Sequence, residues 1–254
     1  MPTPTPTDLP TPEAVLPVTL TVIYDNTVYT SGMVADWGFA CLIERGETSV
    51  LFDTGAKGAL LLENFERGGF DVRAIDTVVL SHAHQDHTGG LAALLDAGAT
   101  PTVVLLQSFP AAFRMQIAER VPVIEVTEAQ ELLPGMVSTG PLGSRIPEQA
   151  LAVETPAGWI VITGCAHPGV ELLVRRALEL AHAERVELLL GGFHLGEMSS
   201  AAVEQIIAHL QELGVQRAGP CHCTGARAIQ QFAAAYGDNY IRVGAGRQIR
   251  LGEP

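Results

Sequence analysis

The chain has 254 residues and a formal net charge of −13, and hydrophobic residues make up 47% of it. Its length and apolar content suffice for a large core, whereas its acidic balance argues against a nucleic-acid partner, which usually needs a basic stripe. No stretch approaches the roughly 20 apolar residues of a membrane span, and the amino terminus lacks the basic start and apolar core of a signal peptide, so we expect a cytoplasmic protein without membrane insertion.

Residues 1–17 are rich in proline and threonine and are predicted to form a disordered tail, and residues 18–254 a single domain. Alternating or continuous apolar runs predict strands, and amphipathic runs predict helices. The predicted strands are 18–24, 37–44, 48–52, 77–80, 102–106, 151–155, 159–163, 186–190, 215–218 and a final edge strand at 240–243. The predicted helices are 58–68, one that begins at 91, 110–119, 170–185, 200–214 and 226–236. Residues 121–133 show no clear pattern.

The loop Ser81–Gly90 carries several potential metal ligands directly after the apolar run 77–80. His82 and His84 are two residues apart, so in an extended segment their side chains point the same way. Asp86 and His87 are adjacent and suit a second position nearby. The Gly-Gly pair that ends the loop predicts a sharp turn before the next helix. Imidazoles and a carboxylate suit Zn, Fe or Mn, and two sets of ligands suit two metals.

Three later loops repeat this arrangement of a strand end, a glycine-containing turn and a histidine. They carry His167, His194 and His222, and we expect the first to be a ligand and the second to be a ligand or a substrate contact. Cys165 precedes His167 by two residues and is either a ligand or a small buried residue; we favour packing.

The remaining histidines and cysteines have simpler interpretations. His182 and His209 lie on predicted helices and are expected to face solvent. Cys221 and Cys223 flank His222 and are interpreted as packing residues. Because three of the four cysteines lie in loops with glycine and histidine, a disulfide framework is not expected.

The His-x-His-x-Asp-His loop resembles the signature of the metallo-β-lactamase fold superfamily, and the resemblance extends from about residue 18 to the carboxyl terminus. The motifs Phe-Asp-Thr-Gly, Thr-Gly-Cys-Ala-His, Gly-Phe-His-Leu and His-Cys-Thr-Gly are similar to a branch labelled dihydropterin ribofuranosylaminobenzene-phosphate synthase-like or metal-dependent hydrolase. Nothing in these residues selects a pterin. The resemblance implies a four-layer αβ/βα sandwich, in which two mixed sheets pack face to face with helices outside.

The resemblance also implies roles for individual residues. Asp53 lies in an Asp-x-Gly corner that supports the histidine loop from behind, so it is expected to orient a ligand rather than to bind metal. His222 resembles the last histidine ligand. Many members place a bridging aspartate after the strand where this chain has Cys165.

We therefore interpret the chain as a binuclear metal-dependent hydrolase with two divalent ions, zinc first and iron or manganese as alternatives. The first ion is assigned to His82, His84 and His167, and the second to Asp86, His87 and His222. A metal-bound hydroxide would attack a small phosphodiester or phosphate ester, or else a carboxylic ester, thioester or lactone. Asp86 is expected to accept a proton as well, and His194 to stabilise the leaving oxygen.

Two other function classes stay open. A di-iron redox module of the same fold usually carries glutamate where this chain has His84, and it has a fused flavin domain for which this chain has no room. A metal-binding sensor without turnover would need the same ligands. The sequence leaves the oligomeric state and the metal identity open.

Overall fold

The computed structural model describes residues 15–252, so most of the predicted tail lies outside the described residues. Residues 15–17 belong to no helix or strand. From residue 18 onward, two mixed sheets pack face to face and helices cover their outer surfaces, which confirms the predicted αβ/βα sandwich. Within the described residues, no helix is long and apolar enough to cross a membrane.

The first sheet has seven strands in the order β13-β1-β2-β3-β4-β5-β6. They are β1 (Val18–Tyr24), β2 (Ala40–Arg45), β3 (Thr48–Phe52), β4 (Thr77–Val79), β5 (Thr102–Leu106), β6 (Val123–Val126) and β13 (Gln248–Leu251). Neighbours are antiparallel from β13 to β3 and parallel from β3 to β6. Parallel strands need crossover connections, and these are the helical segments between them.

The second sheet has six strands in the order β12-β11-β10-β9-β8-β7. They are β7 (Gln130–Leu133), β8 (Met136–Ser138), β9 (Leu151–Thr155), β10 (Gly158–Thr163), β11 (Val186–Gly192) and β12 (Val215–Cys221). β10, β11 and β12 are parallel, and the other pairs are antiparallel. β12 continues through Pro220, which is tolerated because β12 is an edge strand.

Seven α-helices accompany the sheets in the described part of the chain. They are α1 (Gly58–Gly68), α2 (Gln85–Thr88), α3 (Leu91–Asp96), α4 (Ala111–Ala118), α5 (Val170–Ala181), α6 (Ser200–Glu212) and α7 (Ala226–Tyr236). The side chains of β11 show how the layers divide the apolar residues: Leu188 and Leu190 belong to the larger core, and Leu189 packs with the helices. Because successive strand residues face opposite sides, an all-apolar strand of this kind is buried on both faces.

The predicted edge strand at 240–243 is wrong. Tyr240 makes only an isolated bridge to Ala218, and the edge strand of the first sheet is β13, which pairs with β1. Ile241 and Val243 are nevertheless buried in the core. The alternation of apolar residues in this segment therefore reflects burial of Ile241 and Val243, and not the hydrogen-bond pattern of a strand.

The Gly-Gly pair after the histidine loop does not make the predicted sharp turn. Gly89 and Gly90 both have right-handed helical backbones, with φ of −66° and −82°. Their role is close approach: a Cβ on Gly90 would lie 2.1 Å from the Thr54 carbonyl oxygen, and one on Gly89 would lie 2.2 Å from that of Ala56. The glycines thus let the histidine loop pack directly against the chain that leaves β3.

We expect Gly90→Ala to destabilise the fold by about 1–3 kcal/mol, because the added methyl group would meet backbone that cannot move aside cheaply. Gly196→Ala is the matched control, since its Cβ would have its nearest neighbour at 3.5 Å. Denaturant unfolding of both variants measures the difference. Equal stability of the two variants would contradict the close-packing role.

Candidate metal centre

The candidate ligands all lie where parallel strands of the two sheets end. The chain leaves β3 at Asp53, β4 at the histidine loop, β10 at the Cys165–His167 turn, β11 at His194 and β12 at His222. Carboxyl ends of parallel strands meet at one edge of a sheet, and here the edges of both sheets face each other. Residues distant in sequence are thereby brought into one cluster.

Backbone strain is concentrated at this edge. Five non-glycine residues of the described chain have a positive φ, and four of them lie here: Asp53 (59°), Ala166 (59°), His194 (53°) and His222 (49°). The fifth, His182, ends helix α5. Such conformations persist where surrounding contacts impose them, and they cluster at functional sites. Each one redirects the chain just after a strand.

The first group of donor atoms comprises Asp86, His87, Cys165 and His222, whose ligand atoms all lie within 4.8 Å of one another. His87 Nε2 is 3.2 Å from both His222 Nε2 and Cys165 Sγ. Asp86 Oδ2 is 3.3 Å from His222 Nε2. The structure thus brings together the three residues that the sequence assigned to one ion, and it adds a thiol.

A second group comprises His82, Cys165 and His167, and a third comprises Cys165, His194 and Cys223. His84, which the sequence placed with His82 and His167, contacts both rings at centroid distances of 4.7 and 4.8 Å. Its ring nitrogens lie outside the second group. The predicted solvent exposure of His182 and His209 is observed.

Each histidine at the centre of the cluster is anchored through its Nδ1 atom. The anchors are Ser81 Oγ for His82 (2.9 Å), Asp53 Oδ2 for His87 (2.6 Å), Glu148 Oε2 for His167 (2.9 Å) and Asn26 Oδ1 for His222 (3.1 Å). The carboxylates and the amide oxygen accept from Nδ1–H, and so does Ser81 Oγ, because its own proton goes to Asp53. The Nε2 lone pairs therefore face the interior of the cluster, as in metal sites with oriented imidazoles.

Asp53 lies behind the histidine loop, as the resemblance implies. Its carboxylate accepts from the Ser81 backbone N–H at 2.7 Å and from Ser81 Oγ at 2.7 Å, besides His87. It is fully buried, and burial raises its pKa to about 7. It orients a ligand without facing the point on which the donors converge.

Glu148 is the main site residue that the sequence analysis missed. Its buried carboxylate accepts hydrogen bonds from the backbone N–H groups of Cys165, Ala166 and His167 at 2.7–2.9 Å, in addition to His167 Nδ1. Burial alone would raise the pKa of Glu148, but the bond from His167 and the nearby His82 outweigh it and hold the pKa at about 2. Glu148 precedes β9 outside any motif, so no local signal marks it.

Two other missed residues carry a weak sequence signal. Asn26 lies two residues after β1, near a strand end like the other site residues. Trp37 is 55% exposed, its Nε1–H donates to Asp86 Oδ2 at 2.8 Å, and its ring lies 4.8 Å from that of His222. An exposed tryptophan at a cluster of polar groups marks a surface that a substrate can contact.

The electrostatics leave the imidazoles of His82 and His87 neutral. Burial, reinforced by the neighbouring His87, lowers the pKa of His82 to about 3, and burial together with His222 lowers that of His87 to about 4. For Asp86, burial acts to raise the pKa, but the bond to His222 and the charges of the two histidines prevail, and its pKa is below the ordinary range. Neutral imidazoles and an ionised carboxylate are the forms that bind metal.

The pKa of His222 is raised, in contrast to those of His82 and His87. Burial acts to lower the pKa of His222, yet its contact with Asp86 and the charges of Cys223 and Asp25 raise it overall. Its Nε2 atom lies 3.3 Å from Asp86 Oδ2 and 3.2 Å from His87 Nε2, within the first group of donors.

The donor set fits a divalent transition metal. His82 Nε2 is buried, and no hydrogen-bond partner for it exists in the described part of the chain. An unpaired buried nitrogen costs free energy, so its retention suggests a further ligand. Imidazole nitrogens, one carboxylate and thiols around a common point are ligands that zinc accepts in tetrahedral sites.

Two clefts adjoin the cluster. One of about 490 Å³ is lined by Trp37, His222, Tyr240 and Arg242, among others. The other, of about 340 Å³, is lined by residues that include Arg145, His167 and His194. Each cleft therefore opens beside a different group of donor atoms.

Comparison with known proteins agrees with this geometry. The sequence profile of the metallo-beta-lactamase superfamily matches residues 38–172. The chain is 24% identical, over 91% of its length and 95% of the relative's, to the 7,8-dihydropterin-6-methyl-4-(beta-D-ribofuranosyl)-aminobenzene-5'-phosphate synthase of Methanocaldococcus jannaschii. An uncharacterised protein of the same organism is 25% identical over 88% of the chain and 97% of that relative.

Solved structures share the fold. Tm1679, a metal-dependent hydrolase of the beta-lactamase superfamily, is 27% identical with a TM-score of 0.78 over 93% of this chain and all of its own. YhfI of Bacillus subtilis, a metallo-beta-lactamase fold protein, superimposes with a TM-score of 0.70 at 15% identity, covering 93% of this chain and all of YhfI. These matches confirm the resemblance found in the motifs: the chain belongs to the metallo-beta-lactamase superfamily.

Proposed function

We propose that the protein is a metal-dependent hydrolase of a small phosphodiester or phosphate ester. The observation that carries the proposal is the convergence of oriented Nε2 atoms and the Asp86 carboxylate into two adjoining groups of donors. Two adjacent cation sites suit displacement at phosphorus, where charge develops on both the attacking and the leaving oxygen. The likeness to a metal-dependent hydrolase at 27% identity supports this reaction class.

The ligands in this proposal come from the two groups, together with His84, whose ring packs against those of His82 and His167. His82, His84 and His167 would hold one ion, and Asp86, His87 and His222 the other, with zinc as the first expectation. Bound divalent ions would supply Lewis acidity and would activate water near neutral pH. Asp53, Glu148 and the other Nδ1 partners keep the imidazole lone pairs aimed inward, so this geometry exists before a substrate arrives.

Asp86 is better suited to hold a cation than to accept a proton. Its pKa is lowered, and its Oδ2 atom already accepts a hydrogen bond from the Trp37 indole. A carboxylate of low basicity is a poor general base near neutral pH. We therefore assign Asp86 to the ligand set rather than to proton transfer, and Trp37 to positioning its carboxylate.

His194 is the better candidate for proton transfer. It is exposed at the mouth of one cleft, and its ring centroid lies 4.5 Å from that of His167. The contact with Cys223 raises the pKa of His194 despite partial burial, so a larger fraction is protonated near neutral pH. A protonated His194 ring nitrogen can donate to the leaving oxygen.

A phosphate-bearing small molecule is the substrate class we favour. Arg145 lines the cleft beside His167 and His194, and it supplies a cation in a strongly acidic protein. The archaeal relative is named for a product with a 5'-phosphate, so a phosphate-bearing substrate would be common to both proteins. That relative is named a synthase, so hydrolysis by this protein is part of our proposal.

We also propose that the protein is located in the cytoplasm.

The substrate class is tested with metal-loaded protein and a panel of phosphodiesters, phosphomonoesters, carboxylic esters, thioesters and lactones. We expect turnover of the phosphate compounds, diesters above monoesters, as measured by product release. Preferential turnover of a carboxyl compound would contradict the phosphate assignment. Absence of turnover across the panel by fully loaded protein would argue for a sensor or a synthase instead.

Metal content is expected to depend on the histidine loop. His82→Ala and His87→Ala should each lower bound metal from two ions per chain to about one or fewer and should largely abolish turnover, because each removes an inward-facing imidazole. His209→Ala is the control, since His209 lies exposed on α6 and contacts Glu171. Elemental analysis of the three variants gives the answer; equal metal content in all would contradict the assignment.

Glu148→Gln should weaken metal affinity by about 10–100-fold, because an amide cannot reproduce the carboxylate that orients His167 and its backbone. Chelator competition measures this affinity. Glu212→Gln on the exposed face of α6 is the control. Unchanged affinity in Glu148→Gln would remove Glu148 from the site.

A further inference from the structure

We infer that the cleft of about 490 Å³ beside His222 is a specificity subsite, which accepts a planar aromatic ring that carries an anionic group. The inference rests on the proposed phosphate-ester function, because the ring would be one substituent of the ester whose phosphorus lies at the metal centre. Trp37, Tyr240 and Arg242 line this cleft, and none of them belongs to the proposed metal ligands. We assign to these three residues the selection of that part of the substrate.

Residues 240–243, which were predicted as a strand, form one wall of the cleft. Ile241 and Val243 are buried in the core, whereas Tyr240 is half-buried and Arg242 is exposed. Burial raises the pKa of Tyr240, and the positive charge of Arg242 opposes this shift, as expected for neighbouring groups. The alternation along the segment therefore presents a phenol ring and a guanidinium group to the cleft and anchors them by their apolar neighbours.

The guanidinium group of Arg242 is held by an aromatic ring and not by a carboxylate. Its Cζ atom lies 5.8 Å from the centroid of the Tyr29 ring, and that of Arg247 lies 4.5 Å from the same centroid. Among residues 15–252, the ion pairs of lysine and arginine do not include Arg242. A cation–π contact orients a guanidinium group and leaves its N–H groups free to donate to an anion.

Main-chain hydrogen bonds fix Tyr29 beneath this arginine. The Tyr29 N–H donates to the Ala245 carbonyl oxygen at 3.0 Å, and the Ala245 N–H donates to that of Thr27 at 2.8 Å. Gly244 permits the contact, because a Cβ at this position would lie 2.8 Å from the Tyr29 nitrogen. The segment after β1 is thus packed on the segment before β13, and this rim of the cleft is formed before a ligand binds.

Trp37 supplies an exposed aromatic ring to the same cleft. Its indole N–H donates to Asp86 Oδ2, and the residue is nevertheless 55% exposed. The aliphatic side chains of Ile229 and Val243 also line the cleft. A planar ring suits such a lining, because stacking on aromatic side chains adds to the burial of its apolar surface.

Charge complementarity indicates that the ring carries an anionic group. A neutral ring would leave Arg242 without a partner, and the two guanidinium groups near Tyr29 would repel a cationic ring. A carboxylate or phosphate substituent could accept two parallel hydrogen bonds from Arg242. Arg145 lines the other cleft, so the two substituents of a diester would have separate clefts, each with a cation.

The experiment measures, by calorimetry on zinc-loaded protein, the affinities for methylphosphonate, phenylphosphonate and 3- and 4-carboxyphenylphosphonate. These ligands share a phosphonate group that a metal centre can bind, and they contain no ester to hydrolyse. We expect the phenyl ring to raise affinity about tenfold, as for one ring stacked on aromatic side chains. The carboxylate, in the better of the two isomers, should add a further gain of about threefold, as for a solvent-accessible ion pair.

Variants locate the two gains, after circular dichroism has checked that each is folded. Arg242→Gln should remove the carboxylate gain and keep the phenyl gain, and Tyr240→Leu should reduce the phenyl gain. Arg145→Gln is the matched control, because it changes the other cleft and should leave both gains as they are. In Trp159→Phe, Trp37 is the only tryptophan left, and phenylphosphonate should alter its fluorescence more than methylphosphonate does.

Equal affinities for the ligands would overturn the inference, and so would an unchanged carboxylate gain in Arg242→Gln. Loss of the gains in Arg145→Gln alone would place the ring in the other cleft and would overturn it as well. The proposed hydrolysis fails separately: an inactive substrate panel together with both gains would sink the hydrolase and support the subsite. If the protein takes up no zinc, the proposed function fails, and the same affinities measured on the protein as purified decide the subsite.

Discussion

The buried carboxylate of Asp53 is the contact on which the centre depends. It ends β3 in a strained backbone conformation and receives three hydrogen bonds from the loop that follows β4, two from Ser81 and one from His87. It therefore joins two parallel strands at their carboxyl ends and fixes the direction of an inward-facing imidazole. Ser81, held by Asp53, in turn accepts a hydrogen bond from His82 Nδ1 and so fixes that ring. Glu148 acts correspondingly on the second sheet, where one carboxylate fixes the Cys165–His167 turn.

These two carboxylates explain why the sandwich tolerates so many polar groups between its sheets. Asp53, Glu148, His82 and His87 have essentially no exposure to solvent, and burial of ionisable groups is costly unless they are paired. Hydrogen bonds donated by Nδ1–H and backbone N–H groups satisfy the carboxylates, and the bonds from Nδ1 direct the neutral imidazoles inward. Asp86 and Glu148 have lowered pKa values and carry negative charge within the cluster, so a bound cation would stabilise it.

Sequence patterns predicted most of the scaffold because local apolar patterns mark its elements. Apolar runs mark strands such as β1, β3, β5 and β9, and amphipathic runs mark helices such as α1 and α7. The histidine loops were also visible, since each combines a strand end with glycine. Glu148 was not visible and Asn26 was marked only weakly, because each is a single polar residue whose role arises when distant strands meet. The same limit applies to Cys165: a sequence shows a small buried residue after a strand, and only three-dimensional structure shows which donors its sulfur adjoins. The strand prediction for residues 240–243 was wrong for a different reason. Alternate side chains there are buried, but the backbone does not pair as a strand.

Buried and exposed residues of the centre are suited to different roles. His82 and His87 are fully buried, so in the proposed centre they would hold an ion without meeting solvent. His84 and His194 are exposed on the same cluster, and the clefts with Trp37 and with Arg145 open beside it. In the proposed hydrolase, a substrate approaching from solvent would therefore meet His194, Trp37 and Arg145 before the buried donors. Changes in these exposed residues can alter which substrate is accepted while Asp53, Glu148 and the buried histidines keep the metal geometry, which is how one scaffold can serve different substrates.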